Sequence, residues 1–357
     1  MKDKHCNGTL GLTTADITIR GAGIFGLSIG FVCATRGVKV RVIDPNGVGA
    51  GASGGIVGAL APHTPENWNP KKAFQFESLM MASEFWSKVE KVSDLTVGYG
   101  QTGRLQPIAD EKALTLAHAR AETARDLWQG LAKWDVVQAR QSEWEPASPT
   151  GYLIHDTLSA RIHPYNACLA LARAIVKLGG QIATKDHLDE GRVIWANGYQ
   201  GLLDLSDEFE KPVGNGVKGQ AALFRFRATG LPQLYADALH IVPHSDGTVA
   251  VGSTSERLFE TPETTDTQLD DVVARARAAL PVLQDLPVVQ RWAGVRPRAK
   301  SRAPMLGRYP GHAGHFIANG GFKIGFGMAP KIAHVMADLA LTGEDNIPQG
   351  FRVEDSF

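Results

Sequence analysis

The first sixty residues change their hydrophobic period twice. Ile17-Thr-Ile-Arg20 reads as a short strand, an apolar helical stretch runs over 27–36, and Val38-Lys-Val-Arg-Val-Ile43 alternates as a second strand. Gly21-Ala-Gly23-Ile24-Phe25-Gly26 joins the first strand to the helix, Gly37 closes the helix, and the second strand ends on Asp44. Further helical patterns run over 71–92, 110–133, 168–177 and 331–341, and residues 221–226 read as a strand. The succession of strand, glycine turn, helix and strand predicts an α/β chain. Residues 1–14 and those after 347 carry no such pattern and are expected to be loosely held.

The glycine spacing has a chemical meaning. Gly21 permits the tight turn, Gly23 lets backbone approach a pyrophosphate, and Gly26 lets helix and strand pack closely. The helix start then presents free N–H groups and a partial positive charge to phosphates. Asp44 is placed to accept hydrogen bonds from an adenosine ribose, and it would repel a 2′-phosphate, which disfavours NADP. A second match, Gly214-Asn-Gly216-Val-Lys-Gly219, runs into a strand pattern rather than a helix and is set aside. After Asp44 comes a long, small, almost uncharged strip over 47–62 that includes Ala52-Ser53-Gly54-Gly55-Ile56. Such a strip lets backbone amides lie against a large planar ligand. A flexible glycine linker would seldom carry Ile56, Val57 and Leu60, and a nicotinamide dehydrogenase would need no strip there.

Composition narrows the picture slightly. The 357 residues are 43% apolar and 21% charged, ordinary for a soluble domain pair. Lysine plus arginine (37) equals aspartate plus glutamate (37), so no global field favours nucleic acid. Cys6, Cys33 and Cys168 form no CxxC pair, which suggests neither a disulfide framework nor a zinc site. No apolar run has signal-peptide or membrane-spanning length, so a cytoplasmic protein is expected.

These motifs resemble the flavoprotein superfamily of D-amino-acid oxidase, glycine oxidase and sarcosine oxidase. Tyr99-Gly-Gln-Thr-Gly-Arg-Leu105, His163-Pro164, Val193-Ile-Trp-Ala-Asn197-Gly198 and Val217-Lys-Gly-Gln220 resemble its segments in the expected order. So do Trp292-Ala-Gly-Val-Arg296-Pro297 and Asn319-Gly-Gly321-Phe322-Lys323-Ile324-Gly325. The resemblance implies a Rossmann-like FAD domain from residues 15–62, 151–203 and 299–350. It is interleaved with an α+β substrate domain from 63–150 and 204–298, built on a large antiparallel sheet. Non-covalent FAD is implied, because no cysteine lies between Arg291 and Lys323. FAD contacts are implied at Gly21, Gly23, Ile24, Phe25, Gly26, Asp44, Ala52, Ser53, Gly54, Gly55, Ile56, Asn197, Gly198, Arg296, Gly321, Phe322, Lys323, Ile324 and Gly325. Leu188 or a neighbour in the shortened 182–195 segment is expected to pass the adenine.

The implied reaction oxidises the C–N bond of a small amine or amino acid by hydride transfer to flavin N5. The resulting imine hydrolyses, and O2 or another acceptor reoxidises the flavin. The protein then supplies orientation, dryness and charge, and needs no nucleophile or metal. Arg296 either holds a substrate carboxylate with its guanidinium fork or forms a salt bridge at a domain seam. Lys323 either faces the flavin and substrate or is a solvated loop lysine. His240 stands where relatives often place a pocket tyrosine, and either touches substrate or ends a strand. Two other readings stay open: an oxidase of a modified tRNA base, and a flavin-binding protein without turnover.

Overall fold

The structure, a computed structural model, describes residues 15–140 and 142–357. The expected opening unit is present as β1 (Ile17–Arg20), α1 (Ile24–Thr35) and β2 (Val40–Ile43). Gly21 has a φ of +114°, and a Cβ there would stand 2.4 Å from the Ala196 carbonyl oxygen. Helix α1 is buried on every side from Ile24 to Ala34, as a central helix must be.

The six-stranded sheet is assembled from distant segments. Its order is Met305–Arg308, His315–Asn319, Arg192–Trp195, β1, β2, Gln181–Ala183. All neighbours pair in parallel except the first two. Helices Pro164–Lys177 and Gly325–Thr342 pack on α1. The eight-stranded sheet runs Val288–Ala299, Gly214–Arg225, Thr248–Gly252, Leu239–Pro243, Gln233–Ala236, Arg104–Pro107, Tyr152–Asp156, Trp134–Gln138. It is antiparallel apart from the pairing of Gln233–Ala236 with Arg104–Pro107. The set-aside glycine match at 214–219 lies within its long strand Gly214–Arg225.

Three features depart from the sequence reading. Helix Pro70–Ser93, expected in the substrate domain, packs on Pro164–Lys177 and Gly325–Thr342. Its Phe74, Leu79, Phe85, Trp86 and Val89 enter the same apolar core as α1. The last helix starts at Gly325, not at 331, and runs through Pro330. Proline removes one helical hydrogen bond and crowds the preceding turn. Here the Lys331 amide donates to Ser78 Oγ at 3.2 Å, so Pro70–Ser93 supplies a partner beside the break. The segment after Ile347 is anchored. Phe351 and Val353 are buried, the Leu306 amide donates to the Phe351 carbonyl at 2.7 Å, and Phe74 and Phe351 rings lie 5.1 Å apart. Residues 1–14 lie outside the described residues. Cys33 and Cys168 are buried thiols, each pushed up to about 12 chiefly by desolvation. No described helix is long and apolar enough to cross a membrane.

Candidate active site

A cavity of about 930 Å³ lies between the two sheets. That is near the upper end of small-molecule sites, roughly 300–1,000 Å³. Gly21, Gly23, Ile24, Phe25, Asp44, Ala52, Ser53, Gly55, Asn197 and Gly198 line it from the first sheet and the glycine strip. His240, Arg296, Gly321, Phe322, Lys323 and Gly325 line it too.

The Asp44 end is defined by hydrogen bonds. One Asp44 oxygen accepts from the Ala22 amide at 2.8 Å and the other from the Asn46 amide at 3.0 Å. Beside it, α1 begins at Ile24 behind Gly23, its N-cap, with no side-chain cap from that residue and no acid in its first turn. Ser53 Oγ accepts from the Ile24 amide at 2.9 Å, which fastens the glycine strip to the helix start. A dinucleotide needs glycines where side chains would intrude, helix-start amides and a ribose acceptor, and these residues fit it.

Arg296 dominates the other end. It sits on Val288–Ala299, opposite Val217 on the neighbouring strand. Nη2 donates to Ser253 Oγ at 2.6 Å and Nη1 donates to the Thr254 carbonyl at 3.3 Å. Among the described residues no carboxylate comes within 4.0 Å of the guanidinium, so no seam salt bridge forms. Burial outweighs the attraction of Glu256 and pushes Arg296 down to about 10, still a cation near neutrality. Burial and then the charge of Arg296 lower the Lys323 ammonium.

His240 faces Tyr235 across a strand pair, with ring centroids 4.8 Å apart. Its Nδ1 is buried without a hydrogen-bond partner among the described residues. Burial, then the charges of Arg104, Lys323 and Arg296, push the imidazole down to about 3. A tyrosine thus reaches the cavity from the adjacent strand. Tyr235, Ser253, Trp292, Trp195 and Arg20 are lining residues the sequence reading did not select.

Five expected contact residues stand elsewhere. Leu188 is 87% exposed and off the cavity, because Arg20 binds Asp186 and Asp189 on either side and turns Leu188 outward. Arg20, Ile43, Pro45 and Asn46 line the Asp44 end instead. Ile56 is buried in an apolar cluster with Ala221, Leu223 and Ala250, and its neighbour Val57 takes the lining position. Gly26, Gly54 and Ile324 lie behind the wall. A Cβ on Gly26 would stand 2.0 Å from the Gly21 carbonyl oxygen, and one on Gly54 2.2 Å from that of Gly49. Ile324 caps the helix Gly325–Thr342.

Residues 16–339 match the family model described as FAD dependent oxidoreductase. The chain belongs to that family. Its relatives include the bifunctional protein ThiO/ThiG of Trichormus variabilis, 26% identical over 91% of this chain and 52% of that one. The glycine oxidase of Bacillus licheniformis is 25% identical over 91% of this chain and 93% of its own length. The chain spans about half the length of the bifunctional relatives and nearly all of the glycine oxidases. In fold it is similar to the glycine oxidase of Geobacillus kaustophilus, with a TM-score of 0.82 and 20% identity over 95% of this chain and 98% of that one. It is also similar to iminodiacetate oxidase from Chelativorans, with a TM-score of 0.82 and 19% identity over 94% and 98%.

In this FAD-dependent oxidoreductase two buried histidines set an acid limit on stability. His244 Nε2–H donates to the Ile56 carbonyl oxygen at 2.8 Å, which assigns the ring proton to Nε2. Burial holds it at about 4, and His240 is held at about 3, against an ordinary 6.5. The unfolded chain therefore binds more protons below 6.5, so stability is full above that pH and falls as pH drops toward 4 and 3. The expected slope is at most about 1.4 kcal/mol per pH unit for each histidine. Urea unfolding at pH 7.5 and pH 5 should show the loss, and His240→Gln should make it shallower. An identical slope in that variant would remove His240 from the account.

Asp44→Ala is expected to weaken FAD retention about tenfold or more, the weight of a charge-assisted hydrogen bond. Fluorescence of released flavin during dialysis measures it.

Proposed function

We infer that the protein oxidises the C–N bond of a small amine that also carries a carboxylate. The observation that carries this reading is Arg296, a guanidinium facing the cavity with hydrogen bonds to Ser253 and Thr254 but no anionic partner among the described residues. A desolvated cation of that kind favours an anionic ligand, and its planar fork matches a carboxylate.

FAD, when bound, supplies the hydride acceptor, and Gly21, Gly23, the helix-start amides, Asp44 and the 52–55 strip would hold it. Arg296 binds the carboxylate and thereby fixes which substrate carbon faces the reacting end. Lys323 adds positive charge there, which opposes protonation of the substrate nitrogen and leaves its lone pair available. His240, neutral at working pH, offers a hydrogen-bonding nitrogen without adding charge. Val57, Trp292 and Phe322 contribute apolar wall. Electron return to O2 or another acceptor completes the cycle.

The test is the visible spectrum of purified protein, followed anaerobically while glycine, sarcosine, proline and D-amino acids are added, with methylamine as the control. Bleaching by a carboxylate-bearing amine and not by methylamine is the expected result. Equal bleaching by methylamine would discard the carboxylate requirement, and no bleaching by any of them would discard amine oxidation.

A further inference from the structure

We propose that Lys218-Gly219-Gln220, with Glu256 as its anchor, is a cradle that positions Arg296 for the substrate's carboxylate. The proposal rests on the reading that Arg296 binds that group. The three residues sit in the strand Gly214–Arg225, which pairs along its length with the strand bearing Arg296.

The first observation is steric. A Cβ on Gly219 would stand 2.0 Å from Arg296 Nη2, 2.1 Å from Nη1 and 2.2 Å from Cζ. The guanidinium therefore lies against the bare backbone of Gly219, in space that any other residue would fill. Gly219 has ordinary backbone angles, since it is absent from the residues with positive φ. The glycine is needed for the arginine, and not for a turn.

The second observation is the network beside that space. Lys218 is 2% exposed and Gln220 fully buried. Gln220 Nε2 donates to Glu256 Oε1 at 3.0 Å, and Thr254 Oγ1 donates to the same oxygen. Lys218 Nζ lies 3.6 Å from Glu256 Oε2. The main chain repeats the attachment. Lys218 and Glu256 exchange both backbone hydrogen bonds at 2.9 Å, and the Gln220 amide donates to Thr254 Oγ1 at 2.8 Å. All of this fixes Thr254, whose carbonyl receives Arg296 Nη1, and its neighbour Ser253, whose hydroxyl receives Nη2.

A buried ionic network is weak evidence for stability, because well-packed apolar residues of similar volume often serve as well. Its value here is geometric. It holds the two acceptors that aim the fork, and the Glu256 charge helps keep Arg296 protonated. Gly219 and Glu256 are thus positioning residues that act through Arg296.

The experiment compares Gly219→Ala, Glu256→Gln and Arg296→Leu in the FAD-loaded protein. The readouts are KM and kcat for the amine that bleaches the flavin, the Kd of acetate from flavin-band perturbation, and the melting temperature. The expected result for Gly219→Ala is a rise of about 10²-fold in KM and acetate Kd, the scale of a misplacement of roughly an ångström, with a smaller change in kcat. Glu256→Gln, which keeps the shape and removes the charge, should shift both constants in the same direction. In an Arg296→Leu background Gly219→Ala should add nothing, because the two act as one unit. If Arg296→Leu weakens acetate while Gly219→Ala and Glu256→Gln leave it at the wild-type value, the cradle is overturned and the role of Arg296 stands. If Arg296→Leu itself leaves KM and acetate binding unchanged, the carboxylate reading fails, and the cradle with it. Should Gly219→Ala not fold, Glu256→Gln and its double variant with Arg296→Leu decide the matter.

Discussion

Arg296→Leu is expected to cost roughly 3–5 kcal/mol of substrate binding, by analogy with a buried ion pair that loses one partner. In kcat/KM that is a fall of more than a hundredfold for a carboxylate-bearing amine. The same substitution should leave the melting temperature of the protein unchanged or raise it. Arg296 has no carboxylate partner among the described residues, so leucine removes a desolvated charge without stranding another. An arginine serving the fold would give the reverse pattern, with lower stability and intact kinetics. Arg296→Lys should recover only part of the loss, because an ammonium is a point charge and cannot reproduce two parallel hydrogen bonds. Steady-state kinetics beside thermal melting of all three proteins separates these outcomes.

Gly26→Ala should do most damage to the cofactor end. The added methyl carbon would meet the Gly21 carbonyl oxygen at 2.0 Å and Ile19 Cγ2 at 3.1 Å. Neither can retreat freely, because Gly21 is itself held between the hydrogen bond its N–H donates to the Ile43 carbonyl and the wall at Ala196. The expected cost is about 3 kcal/mol or more, the upper range for overpacking against backbone. Protein that still folds should come off purification with little flavin. Absorbance of the flavin band relative to protein, together with melting temperature, checks both parts. A fully yellow, fully stable variant would mean that helix and strand are not held as close as described.

Much of the cofactor end was legible in the sequence because backbone geometry dictates residue type there. A turn at φ +114° and a contact too close for a methyl group leave only glycine, so Gly21 and Gly26 are readable without coordinates. The Arg296 end of the cavity is written in side chains brought together across strands, and its signals are weaker. Tyr235 and His240 face one another through a hairpin whose two turn residues, Asp237 and Ala238, both have positive φ. Such turns usually announce themselves with Asn-Gly or Asp-Gly, and alanine in the second place hides this one. Leu188 faces outward because the loop around it is set by salt bridges from Arg20 to Asp186 and Asp189, which spacing does not reveal. The last helix was read from 331 because Pro330 stands inside it, and the Ser78 hydroxyl of another helix, which accepts from the Lys331 amide beside the break, is not visible in the spacing. The hold on Phe351 likewise depends on Phe74 and Leu306, far away in the chain.

The assembly of the six-stranded sheet also governs how the chain can be made. β1 pairs with β2 at once, but its other edge waits for Arg192–Trp195, and that strand waits for His315–Asn319. A ribosome adds about 5–20 residues each second, so β1 stays half-paired for roughly ten seconds or longer. During that interval α1, apolar on all sides, has no complete core to enter. Folding should therefore be late, slow and prone to aggregation when synthesis is fast. Lower temperature and slower expression should raise the yield of native protein more than any change made at the site itself.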